Sequence, residues 1–126
     1  MKLIRKDQAI HVDKTNGTKV DYYLLNDAEI HYNKINPRTL QEWHRHHRIS
    51  ENIFILQGEL VYRYLDETNK EQSLKLKQGD LLSVDKDIHT FENQTDEVVE
   101  FIVFRYLPSY KNQSEMIKND KEIIER

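Results

Sequence analysis

The chain has 126 residues and a mass of 15.2 kDa, is 37% hydrophobic and 33% charged, and carries a net charge of -3 with a pI near 6.1. That length suits one domain built around one core. The absence of cysteine excludes disulfides, thiolate metal sites and cysteine nucleophiles, so a bound metal must be held by nitrogen and oxygen. Lysine and arginine are spread along the chain and the balance is mildly acidic, so no nucleic-acid partner is expected. The N-terminal MKLIRKDQAI has no apolar signal core, and no apolar run approaches the roughly 20 residues that cross a bilayer. No membrane partner and a cytoplasmic location are the expectations.

Taken in order, stretches 20–25, 28–35, 52–65, 73–76, 80–84 and 98–107 are rich in Val, Ile, Leu, Phe and Tyr, the composition of strands. His11 lies in a weaker strand pattern before them. Polar clusters at Thr15-Asn16-Gly17, at 25–27, at 66–70 and at Gln94-Thr95-Asp96 fall where turns between short strands belong. Gly58 interrupts the run 52–65 and predicts two strands there. The last strand is apolar on both faces, through Val99, Phe101 and Val103 on one and Ile102, Phe104 and Tyr106 on the other. One face should join the core and the other a second subunit, so a homodimer is expected. From 109 the composition shifts, and Met116, Ile117, Ile123 and Ile124 form the narrow apolar stripe of a short C-terminal helix, with a frayed tail as the alternative. The expectation is all-β with one domain over 1–126, its core at about 20–107 and a helix or tail at 109–126.

The segment Trp43-His44-Arg45-His46-His47-Arg48-Ile49-Ser50-Glu51 holds three of the six histidines and a carboxylate. On a strand, His44 and His46 share a face about 7 Å apart, close enough for two imidazoles to meet on one ion. A polar turn then returns Glu51 toward them. A later strand leads through Asp85-Lys86-Asp87 to His89. Neutral imidazole and carboxylate suit one divalent transition metal, Fe, Mn, Ni, Co, Cu or Zn. His47 falls on the opposite face and is the weaker ligand candidate. His31 reads either as a pocket residue or, more often for a lone strand histidine, as a structural one. Phe91, Ile53 and Ile55 share faces with the ligand candidates and should wall the cavity. Tyr62, Arg63 and Tyr64 fit a substrate clamp less well than a solvent-facing or interface strand. Asn93 fits a turn-forming, backbone-bonding role.

These residues resemble the cupin superfamily, whose first motif is Gly-x5-His-x-His-x(3,4)-Glu-x6-Gly and whose second is Gly-x5-Pro-x-Gly-x2-His-x3-Asn. His44, His46, Glu51 and Gly58 match the first motif from its first histidine onward, and Gly79, His89 and Asn93 match the ends of the second. The first motif's opening glycine falls at Arg38. The Pro-x-Gly stretch reads Asp85-Lys86-Asp87, one residue short before His89. Covering roughly 36–107, the resemblance implies a cupin jelly-roll β-barrel in which His44, His46, Glu51 and His89 are the metal ligands.

A four-ligand nitrogen and oxygen site leaves two positions of an octahedral ion open for a small organic molecule, water or dioxygen. The resemblance thus implies a metal-dependent enzyme of dioxygenase or isomerase type, with Glu51 either completing the ligand shell or detaching as a catalytic base. Two alternatives stand beside it. One is a non-catalytic module that binds a metal or small ligand. The other is a metal-free relative of the sugar-nucleotide epimerases, whose chemistry uses a histidine base paired with a carboxylate and a tyrosine acid.

Overall fold

The structure, a computed structural model, describes residues 1–108 and 118–125. Among the described residues a short 3-10 turn at Lys6–Gln8 precedes ten strands: β1 (Ile10–Asp13), β2 (Thr18–Leu24), β3 (Ala28–Ile35), β4 (Thr39–Leu40), β5 (Ser50–Gln57), β6 (Glu59–Leu65), β7 (Glu71–Lys77), β8 (Leu81–Val84), β9 (His89–Asn93) and β10 (Val99–Tyr106). They form a six-stranded sheet in the order β1-β2-β3-β10-β5-β8 and a four-stranded sheet in the order β4-β9-β6-β7. Every strand pairing is antiparallel. The all-β expectation and the jelly-roll arrangement both hold, with one refinement: the two sheets are not closed into a continuous hydrogen-bonded barrel. Their apolar inner faces hold them together instead.

Strand alternation decides which side chains meet. Glu51, Ile53 and Ile55 of β5 are buried while Phe54 between them is exposed, and Val99, Phe101 and Val103 of β10 are buried likewise. Register stacks these into rows across the large sheet. Phe101 lies opposite Asn33 and Ile55, Val103 opposite His31 and Ile53, and Arg105 opposite Glu29 and Glu51. The small sheet answers with Leu60, Tyr62, Leu76 and Phe91, which complete one apolar cluster. Each fully buried Leu, Ile or Phe in such a cluster contributes on the order of 1.5–3 kcal/mol.

The run 52–65 divides at Gly58, as its sequence predicts. This residue sits at φ +86°, and a Cβ there would stand 3.0 Å from Val99 Cγ2, so both conformation and space demand glycine. The strand β4 has only two residues, too few to leave a periodic signal. Most of the helix expected over 109–126 lies outside the described residues, and 120–125 carry no regular secondary structure. Among the described residues no helix is long and apolar enough to cross a membrane.

Asn93 does the backbone work expected of it. It is fully buried, and its Nδ2 donates to the carbonyls of Ile35 (3.1 Å), Asn36 (3.0 Å) and Glu97 (2.7 Å). Its Oδ1 accepts from the Thr95 backbone N–H (2.9 Å) and hydroxyl (2.7 Å). Thus one amide ties the end of β3, the β9–β10 turn and β9 itself. Asn93→Ala leaves several of these buried groups unpaired and should lower unfolding free energy by about 3 kcal/mol, read from the urea midpoint at constant m-value.

Candidate metal centre

Between the sheets, four residues arrive from three different local structures. Glu51 stands on β5 of the large sheet and His89 opens β9 of the small one. His44 and His46 come from the segment 41–49, which is not the strand that the sequence reading assumed. Only His44 pairs, in an isolated antiparallel bridge with His89: the His44 N–H donates to the His89 carbonyl and the His89 N–H to the His44 carbonyl, each at 2.9 Å. Strand parity therefore does not set the relation of His44 to His46. The bridge places the His44 ring 4.5 Å from the His89 ring, and chain geometry brings His46 to 5.2 Å and 6.1 Å from the two, centroid to centroid.

The three histidines can each offer one nitrogen such that all three lie within 4.8 Å of one another. Their tautomers suit that role. His89 Nδ1 lies 2.9 Å from the Asp87 carbonyl and His44 Nδ1 lies 3.0 Å from the Glu42 carbonyl. Carbonyls only accept, so each Nδ1 carries the proton and each Nε2 keeps its lone pair. The Nε2 atoms of His46 and His89 are buried without a hydrogen-bond partner. An orphaned buried acceptor destabilises a fold unless something else completes it, and a metal ion does so.

Glu51 is 3% exposed and reaches the cluster from the side. Its Oε2 stands 3.0 Å from His46 Nε2, too poorly aligned for a hydrogen bond, and accepts from Arg105 Nε at 3.1 Å. The three histidines form the metal-type group, and Glu51 lies beside it, held by Arg105. His47 is exposed and stands outside that group. Tyr62 is 4% exposed and belongs to the core, so neither the substrate clamp nor the solvent-facing reading fits it.

The cluster opens on a cavity of about 250 Å³ whose lining includes His44, His46, Glu51, Arg105, His31 and Asn33. Phe91 walls it as expected, joined by Phe101 and Val103, whereas Ile53 and Ile55, also expected there, lie in the core cluster and outside the lining. His31 is a buried cavity residue, with Nε2 3.0 Å from the Glu29 carboxylate and its ring edge-on to Tyr22. His11, in contrast, is exposed and pairs with Asp21. Arg105 escaped the sequence reading, yet a signal was there: it continues the inward parity of Val99, Phe101 and Val103, where a cation needs a partner.

Burial holds His31, His46 and His89 below the ordinary imidazole value of 6.5; Arg105 adds to the depression at His31, while Glu51 partly opposes it at His46. These rings are thus neutral at pH 7. The unfolded chain takes up protons near 6.5 that the folded chain refuses, so stability of the metal-free protein is unaffected above that value and declines as pH falls below it. The urea midpoint should drop between about pH 7 and pH 5.5, and His31→Gln should flatten the drop; a midpoint constant over that range would contradict the burial argument.

A family model described as "Cupin domain" matches residues 31–105. A comparison with curated proteins gives no sequence match. Solved structures of similar shape include the Drosophila melanogaster CENP-C cupin domain, at 16% identity and a TM-score of 0.69, covering 84% of this chain and 80% of that one. A variant of Bacillus subtilis oxalate decarboxylase gives 15% identity and a TM-score of 0.70, covering 84% of this chain but 29% of that chain. Recombinant oxalate oxidase in complex with glycolate gives 18% and 0.66, covering 80% and 56%. At these identities the likeness is one of fold.

Proposed function

The chain belongs to the cupin family, and from that premise we propose that it binds one divalent transition metal through His44, His46 and His89, with Glu51 as the fourth ligand, and acts as a metal-dependent enzyme on a small organic molecule. One observation carries the reading: three imidazoles converge beside a cavity that His44 and His46 line, and the Nε2 atoms of His46 and His89 are buried and unpartnered. When bound, the ion would supply Lewis acidity and open coordination positions. The residues do the rest. The carbonyls of Glu42 and Asp87 hold two rings in the ligating tautomer, and the aromatic wall limits water. Arg105 steadies Glu51, which stays in its ligand position or leaves it to take a proton from the substrate.

Arg105 and Lys14 line the same cavity, so small carboxylates are the first substrates to try. The glycolate bound to oxalate oxidase, a protein similar in fold, points the same way. A second reading draws on His31 and Glu29. Their pairing beside Tyr22 is the histidine–carboxylate arrangement that a metal-free isomerase needs. The fold also serves binding, since CENP-C of Drosophila melanogaster is solved bound to CAL1 with a TM-score of 0.71 to this chain.

Elemental analysis of protein purified without chelator separates these readings. Wild type should hold close to one metal per chain and His46→Ala and Glu51→Ala much less; a wild-type content below about 0.1, with refilling by Fe, Mn, Ni, Co and Zn also failing, would overturn the metal reading and leave the His31–Glu29 pair as the remaining chemistry. Oxygen consumption by the loaded protein against small carboxylates, thiols, diketones and catechols then distinguishes a dioxygenase from a binder.

The outer face of the large sheet supports the homodimer. Phe54, Leu81 and Phe104 are exposed there, in register with Ile102, Tyr32 and Ile30. Light scattering at micromolar concentration should return twice the 15.2 kDa chain mass, and Phe104→Glu should halve it; a wild-type monomer contradicts the proposal.

A further inference from the structure

We propose that Tyr62 and Asp87 form a brace that aims His89 into the metal centre, standing where the second motif would place a stiff Pro-x-Gly turn. The inference rests on the metal reading but concerns a contact outside the ligand set.

His89 is the ligand with the most demanding approach. It is fully buried, and it follows directly on Asp85-Lys86-Asp87-Ile88, a connection with neither proline nor glycine to restrict its path. Its ring must nevertheless present Nε2 to the cluster and keep the proton on Nδ1. The group that fixes both is the Asp87 carbonyl, 2.9 Å from Nδ1. The question is what fixes that carbonyl.

The strand β6 does so at two points. The Leu65 N–H donates to the Ile88 carbonyl at 2.9 Å, an ordinary backbone tie. The Tyr62 hydroxyl donates to Asp87 Oδ2 at 2.5 Å, a tie made by side chains. Tyr62 is a rigid anchor: it lies mid-strand between Leu74 of β7 and Phe91 of β9. Its ring packs 5.4 Å from the His89 ring and 5.6 Å from Phe91. One residue thus supports the histidine directly, through its ring, and indirectly, through the loop whose carbonyl sets the tautomer. A buried tyrosine hydroxyl needs a partner; here the partner is the residue whose backbone orients a ligand.

Tyr62 and Asp87 are positioning residues, and the test reads metal affinity and imidazole tautomer. The probe is cobalt(II), titrated against a competing chelator into the full metal-free chain. Tyr62→Phe and Asp87→Ala should each weaken binding by about 10-fold or more, the usual consequence of losing an outer hydrogen bond to a ligating histidine. The double variant should be no weaker than the weaker single within about twofold, because both changes cut the same link. Asp87→Asn keeps an oxygen that accepts from the phenol and should stay within about threefold of wild type. In the metal-free protein, nitrogen NMR should find His89 in the Nδ1–H form in wild type and mixed in the two weakened variants. Should Tyr62→Phe fail to fold, Asp87→Ala carries the test, since it removes only the acceptor from a half-buried loop. Affinities unchanged in both single variants, or losses that multiply in the double, overturn the brace. So does an unchanged His89 tautomer, even if wild type binds no cobalt, an outcome that would by itself overturn only the metal reading.

Discussion

The site depends on one reciprocal pair of backbone hydrogen bonds, between His44 and His89. The segment 41–49 has no strand of its own and would otherwise lie on the surface with its histidines in water. It is stitched to β9 at successive points: the Gln41 N–H reaches the Phe91 carbonyl at 3.0 Å, the Thr90 hydroxyl reaches the Gln41 carbonyl at 2.7 Å, and the His44 bridge follows. Because the bridge is a directly opposed pair, the two side chains leave the backbone side by side. A ligand from an irregular loop and a ligand from a regular strand thereby acquire a fixed separation, and the flexibility expected of a loop is removed where the chemistry needs rigidity.

The large sheet solves a different problem, that of a carboxylate placed among apolar neighbours. Glu51 sits one step along β5 from the buried pair Ile53 and Ile55, and an isolated buried carboxylate would be strongly destabilising. Register supplies its compensation, because Arg105 is its cross-strand partner on β10 and Glu29 follows on β3. The row Glu29, Arg105, Glu51 alternates in sign. One arginine between two carboxylates leaves the row one negative charge in excess, which favours a cation at the site.

How far the sequence disclosed this follows from the range of the interactions involved. The strand pattern and the break at Gly58 were legible because they are local: alternation has period two, and a glycine at positive φ leaves a gap in an apolar run. His44, His46, Glu51 and His89 were legible as a set through their spacing. The conformation of 41–49 was not, because it is set by bonds to residues about fifty positions away. The misjudgement of Tyr62 has the same origin: its inward direction depends on the pairing of β6 with β9, and alternation alone gave two equal faces. Arg105 lay between these cases, its parity readable in the sequence but its partner visible only once β5 and β10 were aligned.

The fold by itself does not say what the cavity does, since similar architectures occur in oxalate decarboxylase, oxalate oxidase and the CENP-C cupin domain. The energetic character of the site is more informative. Two imidazole nitrogens buried without partners each cost about 1–3 kcal/mol relative to paired groups, and a neighbouring carboxylate must be held by an arginine that could otherwise be solvated. A scaffold with no use for these groups would be more stable with apolar side chains of similar volume in their places, as buried ionic clusters replaced by hydrophobic residues generally are. Here the polar groups are not scattered. They are gathered beside one cavity, with the Nδ1 protons of His44 and His89 held by backbone carbonyls, and a chain that accepts that loss of stability in one place has its function there.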